Sequence, residues 1–113
     1  MDKEFVCLTV EGRPEYCRIG RLLAKHDVNC MDMVWHVFTE VKESLGGMMH
    51  GYSYKSASLC GEDLWNKYPT AGLHRAMGIC LSVMVKAGLL PLVCVNPERS
   101  NKRYRLADSF ILV

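Results

Sequence analysis

The sequence has no apolar run near the roughly 20 residues that a membrane-crossing helix needs, which excludes a helical membrane span. It has no internal repeat, no low-complexity tract and no Ser/Gly/Pro linker long enough to separate distinct domains, so a single folded unit is expected. None of its six cysteines forms a C-x-x-C pair, and no Cys/His pair recurs at zinc-site spacing, so no metal or other cofactor is expected. Gly46-Gly47 and Gly51 are not followed by Lys-Ser/Thr, which excludes a phosphate-cradling loop of the nucleotide-hydrolase kind. His26, His36, His50 and His74 have no carboxylate at a telling spacing. Glu62 and Asp63 are adjacent and would point apart on a helix, where they suit its acidic first turn. Enzymatic chemistry is therefore not expected.

What the chain does have is ordinary globular composition: 113 residues, 50% apolar and 23% charged. A chain of this length buries about two-thirds of its unfolded surface, enough for a core without staples. Its opening, MDKEFVCLTVEG, carries acids and only a short apolar stretch, unlike a secretory signal. A cytoplasmic setting with reduced thiols is the corresponding expectation. Cys80 and Cys94, in apolar surroundings, read as core. Cys30 and Cys60, near helix starts, are the more reactive candidates.

The formal net charge is only +2, but it is unevenly spread. Residues 1–57 hold seven Lys/Arg against eight Asp/Glu, and residues 58–113 hold seven against four. Four of those later cations fall within 99–105. Such clustering either keeps a hairpin loop solvated or focuses a field on an anionic partner.

The apolar pattern predicts the elements. Residues 5–10 are β-prone and end in Glu11-Gly12-Arg13-Pro14, predicting a strand and a turn. Pro14 opens a helix near 14–26 bearing Tyr16, Ile19, Leu22 and Leu23, with Arg18, Arg21 and Lys25 on its other side. Asp32 is expected to cap a helix whose apolar face carries Met33, Val34, Val37, Phe38, Val41 and Leu45, and Gly46-Gly47 ends it. Residues 52–56 alternate weakly as a short strand. A short helix over 62–67 is stopped by Tyr68-Pro69. Thr70 caps a longer one over 71–87, whose buried stripe is Leu73, Ala76, Met77, Cys80, Leu81 and Met84. Residues 89–95 read as a strand, placed at a sheet edge by Pro91. A basic turn over 96–102 and a return strand at Arg103-Tyr104-Arg105-Leu106 follow. The apolar tail, 110–113, is expected to dock on something.

The segment LSVMVKAGLLPLVCVNPERSNKRYRL, residues 81–106, resembles the end of a recognition helix running into the two strands and tip of a wing. Upstream, Gly61-Glu62-Asp63-Leu64-Trp65 with Tyr68-Pro69-Thr70 resembles the second helix and turn of a helix-turn-helix. Together they resemble the winged helix-turn-helix superfamily. The resemblance implies an α+β fold with a three-helix core and a β-wing hairpin over 31–113, the strand and helix of 1–30 forming an extension packed on it. It also implies a transcriptional regulator that binds double-stranded DNA, usually as a homodimer. Physically, one α-helix fits the major groove while a basic hairpin reaches phosphates or the adjacent minor groove. Carried over by position, the groove-facing residues are Thr70, His74, Arg75 and Gly78. The wing residues are Arg99, Ser100, Asn101, Lys102 and Arg103.

The long helix is sparsely equipped for reading bases. It offers one Arg for guanine and no Asn or Gln for adenine. If the wing and Arg18, Arg21 and Lys25 all engage one duplex, about four to six phosphate contacts result, with a salt slope of roughly −4 to −5. Residues 5–10 and 110–113 are candidate dimer surfaces or, equally, extra strand and core packing within one subunit. The competing expectation is a protein-interaction module on the same scaffold, such as an adaptor or inhibitor, motivated by that bare helix and by the Met48-Met49/Tyr52/Tyr54 segment.

Overall fold

In the computed structural model, residues 3–108 are described. The fold is α+β, with six α-helices and a three-stranded antiparallel sheet among the described residues: α1 (Lys3–Val10), α2 (Pro14–Leu23), α3 (Cys30–Ser44), β1 (Tyr54–Lys55), α4 (Ser56–Cys60), α5 (Glu62–Lys67), α6 (Ala71–Lys86), β2 (Leu92–Cys94) and β3 (Arg103–Leu106). A single 3-10 turn, Leu45–Gly47, follows α3. No helix among the described residues is long and apolar enough to cross a membrane.

The first element departs from the sequence reading. Residues 5–10 are not a strand but most of α1, because Val6, Cys7 and Val10 fall on one helical face and are buried against α3. β-propensity is a weak preference that this packing overrides. Gly12 adopts φ +86° and lets the chain turn into α2, where Pro14 occupies the first turn as expected. Helix α2 ends at Leu23, three residues early, and packs along α6 through Ile19 and Leu23.

Helix α3 begins two residues before Asp32, and its cap is Asn29, whose side-chain oxygen accepts from the N–H groups of Met31 and Asp32. Asp32, already inside the first turn, instead pairs with Lys3 at 2.6 Å and ties α1 to α3. The expected strand over 52–56 shrinks to Tyr54–Lys55, and Ser56–Cys60 turns at once into the unforeseen helix α4. Gly61 joins α4 to α5 at φ +86° and ψ 155°, a conformation that is essentially reserved for glycine.

Helix α6 matches its prediction closely. Thr70 caps it by accepting from the Leu73 N–H at 3.2 Å, and all six residues of the foreseen stripe are buried, with Val83 beside them. That stripe, the α3 face (Met33, Val34, Val37, Phe38, Val41) and Ile19 form the centre of a core that also takes in residues of α1, α4 and the sheet, Tyr104 and Leu106 among them. The sheet closes one side in the order β1-β3-β2, so β2 is an edge, as Pro91 demands. The register sets Cys94 and Tyr54 either side of Tyr104, and Leu92 opposite Leu106. Alternation sends Tyr104 and Leu106 inward and Arg103 and Arg105 outward. The tail 110–113, expected to dock, lies outside the described residues.

Candidate nucleic-acid interface

The longest loop of the sheet, between β2 and β3, is held at its base by one side chain. The Asn96 side-chain carbonyl accepts from the Arg103 N–H at 2.7 Å, and its amide donates to the Asn101 carbonyl at 2.9 Å. The Arg99 N–H donates to the Asn96 backbone carbonyl and the Val95 N–H to the Arg103 carbonyl, each at 3.0 Å. These bonds give a basic loop a fixed shape, and Asn96 is a structural residue that the sequence reading passes over as mere turn chemistry.

The loop stands opposite the outer face of α6, and between them lies a groove of about 1060 Å³. Its floor is α6 itself, where Gly78 and Ser82 present little side chain, with Tyr104 of β3 beneath. The α6 pattern explains the bare floor: a wide apolar arc faces the core, and the remaining arc holds Gly78 and Ser82 next to Arg75 and Lys86. Arg75, Arg99 and Lys102 stand on its walls, joined by Arg18 from α2 and Lys55 from β1. Two carboxylates, Glu15 and Glu98, also line it. Glu15 is already paired with Lys86 at 3.0 Å, and its own backbone N–H and then that lysine hold its carboxyl below the usual range.

The nine residues expected to touch DNA divide by position. His74, Arg75, Gly78, Arg99, Ser100, Asn101 and Lys102 all line the groove. Thr70 caps α6 and sits outside that lining. Arg103 is also outside it: its guanidinium donates to the Ser53 hydroxyl at 2.9 Å and to the Ser53 carbonyl at 3.2 Å, anchoring the loop to the segment before β1.

Three of the residues in the groove differ in what they can offer. The His74 ring stacks on Trp65 with centroids 4.0 Å apart, and its Nε2 lies 2.9 Å from the Trp65 carbonyl. A carbonyl can only accept, so Nε2 is the protonated nitrogen and is already used. The Lys102 ammonium donates to the Arg99 carbonyl at 3.1 Å, which braces the loop. Arg75, by contrast, is exposed, and like those of Arg18, Lys55 and Arg99 its side chain has no hydrogen-bond or ion-pair partner among the described residues. Arg18, foreseen as a phosphate contact, belongs here; its companions Arg21 and Lys25 do not line the groove. Ser82 shares the outer side of α6 with Arg75 and Gly78, as its spacing predicts, whereas Lys55 and Tyr104 are additions that the sequence does not announce. Only the sheet register brings Lys55 of β1 and Tyr104 of β3 to the groove that α6 lines, and no local pattern signals that.

Elsewhere the histidines and cysteines have structural surroundings. His36 Nδ1 lies 3.2 Å from the Tyr68 hydroxyl, and burial lowers the imidazole below its ordinary value. The two thiols expected to be reactive are not activated: burial pushes Cys60 up to about 12 and raises Cys30 as well. Cys60 ends α4, one residue before the Gly61 cap of α5, and its burial outweighs whatever that helix start contributes. Met48 of the proposed contact patch is buried, whereas Met49 and Tyr52 are exposed. Among the described residues no three His, Cys, Asp or Glu side chains converge as a metal site. No family model matches the chain, and neither a curated protein nor a solved structure matches it.

Proposed function

We propose that the chain is a winged-helix regulator that binds double-stranded DNA, with α6 facing the major groove and the loop between β2 and β3 acting as the wing. The observation that carries this reading is the convergence of four unpartnered cations, Arg18, Lys55, Arg75 and Arg99, from four separate segments onto one groove beside a solvent-facing helix. Unpaired cations gathered on a chain of net charge +2 are the electrostatic footprint of an anionic partner. The element order from α3 to β3, with α6 between the short helices and the hairpin, and the sheet order β1-β3-β2 support the winged-helix reading. With His74 engaged by Trp65, Arg75 is the base-reading residue, and the rest of the set positions phosphates. Binding is accordingly strong in its charge component and modest in sequence preference.

The reading is tested by fluorescence anisotropy with random and genomic duplexes across a salt series. Micromolar or tighter binding is expected, with the Arg75→Ala/Arg99→Ala pair losing most of it. Arg103 is left intact, because its removal would loosen the loop. Absence of binding at low salt overturns the proposal.

A second reading, a protein-interaction module, draws on a different surface. Leu8 and Phe5 of α1 are 56% and 52% exposed and stand three residues apart on one helix. The same face is where we place a homodimer contact. Light scattering of the free chain, and of the Leu8→Glu variant, tells a self-associating protein from a monomer.

A further inference from the structure

The groove contains one group that duplex binding leaves unused. Tyr104 is 1% exposed, yet its hydroxyl has no hydrogen-bond partner among the described residues. Buried hydroxyls in folded proteins are nearly always satisfied, so an orphan of this kind asks what satisfies it. Tyr104 lines the groove floor together with Ser82 and Gly78. The Ser82 hydroxyl is near enough to favour the phenolate but does not meet hydrogen-bond geometry, and burial outweighs it, pushing the phenol up to about 12. The group is therefore a protonated donor throughout the neutral range. One turn before Ser82, Gly78 leaves open space, with no atom within 4 Å of where a Cβ would stand.

The floor thus offers two hydroxyl donors, and the walls offer guanidinium groups without carboxylate partners. A group that accepts from all of them needs several acceptor oxygens and negative charge. A terminal phosphoryl group meets both conditions. It is also narrow. The Tyr104 hydroxyl is closed to bulk water, so contact with it requires a neighbouring side chain to move, which a narrow terminal phosphate demands less of than a duplex phosphate flanked by two sugars does.

We propose that the groove binds a soluble organic phosphate, whose terminal oxygens accept from the Tyr104 and Ser82 hydroxyls while Arg75 and Arg99 neutralise its charge. Because those arginines are the ones assigned to DNA, the ligand and a duplex exclude each other; that consequence alone rests on the DNA-binding reading.

Inorganic pyrophosphate serves as the probe, titrated calorimetrically and by amide NMR against the whole chain and the Tyr104→Phe variant. The expected result is saturable binding with shifts centred on Gly78, Ser82 and Tyr104. Tyr104→Phe weakens it about tenfold, as loss of a bond to a charged acceptor does, while its melting temperature stays at or above that of the parent. Duplex affinity, measured separately, changes less than twofold in the variant, and pyrophosphate displaces the duplex from the parent. Pyrophosphate binding without duplex binding upholds this site and overturns the DNA reading. The inference is overturned if pyrophosphate does not bind, if Tyr104→Phe binds it equally well, or if that variant melts lower, which would mean that the hydroxyl is already satisfied inside the fold.

Discussion

Arg99 and Arg103 lie four residues apart in one basic cluster, yet their side chains have different roles. Arg99 has no partner for its guanidinium among the described residues, whereas Arg103 spends its own on Ser53. Arg103→Ala is expected to lower stability by about 1–3 kcal/mol, since it removes hydrogen bonds from a charged donor and releases the loop from the segment before β1. Arg99→Ala should stay within about 0.5 kcal/mol, as exposed surface changes do, and weaken duplex binding instead. Urea unfolding combined with anisotropy separates the two effects. Equal stability losses would contradict the division.

His36 makes a prediction about pH at the same scale. Burial lowers its folded pKa below the ordinary 6.5, so below pH 6.5 the unfolded chain takes up the proton first. Stability supplied by neutral His36 is then complete above pH 6.5 and declines as the pH falls from there towards the lowered value. Unfolding free energies measured between pH 7.5 and 5 should slope downward with acid, and His36→Gln should flatten that slope. An unchanged slope in the variant would assign the acid sensitivity to other groups.

Among the elements, two glycines should respond in opposite ways to the same change. Gly61 joins α4 and α5 at φ +86° and ψ 155°. Alanine there is strained by about 1–3 kcal/mol. Gly78 sits inside α6 with open space around the position of a Cβ, so alanine should stabilise the helix by about 0.5–1 kcal/mol. It should also raise the groove floor and weaken binding of both duplex and pyrophosphate. A thermal melt of each variant tests the opposite signs, and a stabilised Gly78→Ala that binds normally would argue against use of that floor.

Element by element, what is legible in the sequence follows the strength of the local signal. Helix α6 can be read almost to its ends because Thr70 and a long apolar stripe agree. β3 can be read because polar and apolar residues alternate through Arg103-Tyr104-Arg105-Leu106. Helix α4 cannot, since Ser56–Cys60 is too short to display a period. Helix α1 reads wrongly as a strand because Phe5, Val6 and Val10 favour strands in isolation, and only burial against α3 decides otherwise. The same distinction holds in the groove. Arg75 and Arg99 are visible as cations on a helix and a loop, whereas Tyr104 reads as an ordinary core position until the register places it below Ser82.

At the scale of the whole molecule, charge placement matters more than total charge. A net +2 would barely bias encounter with DNA if it were uniformly spread, but of the six cations that line the groove, the five not paired with a carboxylate, Arg18, Lys55, Arg75, Arg99 and Lys102, act on one side of a body measuring 38 × 27 × 27 Å. If each replaces one condensed counterion, the logarithm of affinity should fall with the logarithm of salt at a slope of about −4 to −5 per protomer. Arg99→Ala should reduce that slope by about one on every sequence, and Arg75→Ala should additionally compress the difference between preferred and random duplexes. A two-fold dimer on a palindrome, with its two α6 helices about 34 Å apart, would double the slope and remove binding to half-sites at nanomolar protein. The slope therefore reports stoichiometry as well as mechanism. A value near −1 would mean that the groove cations do not engage the backbone together, leaving the groove to a ligand much smaller than a duplex.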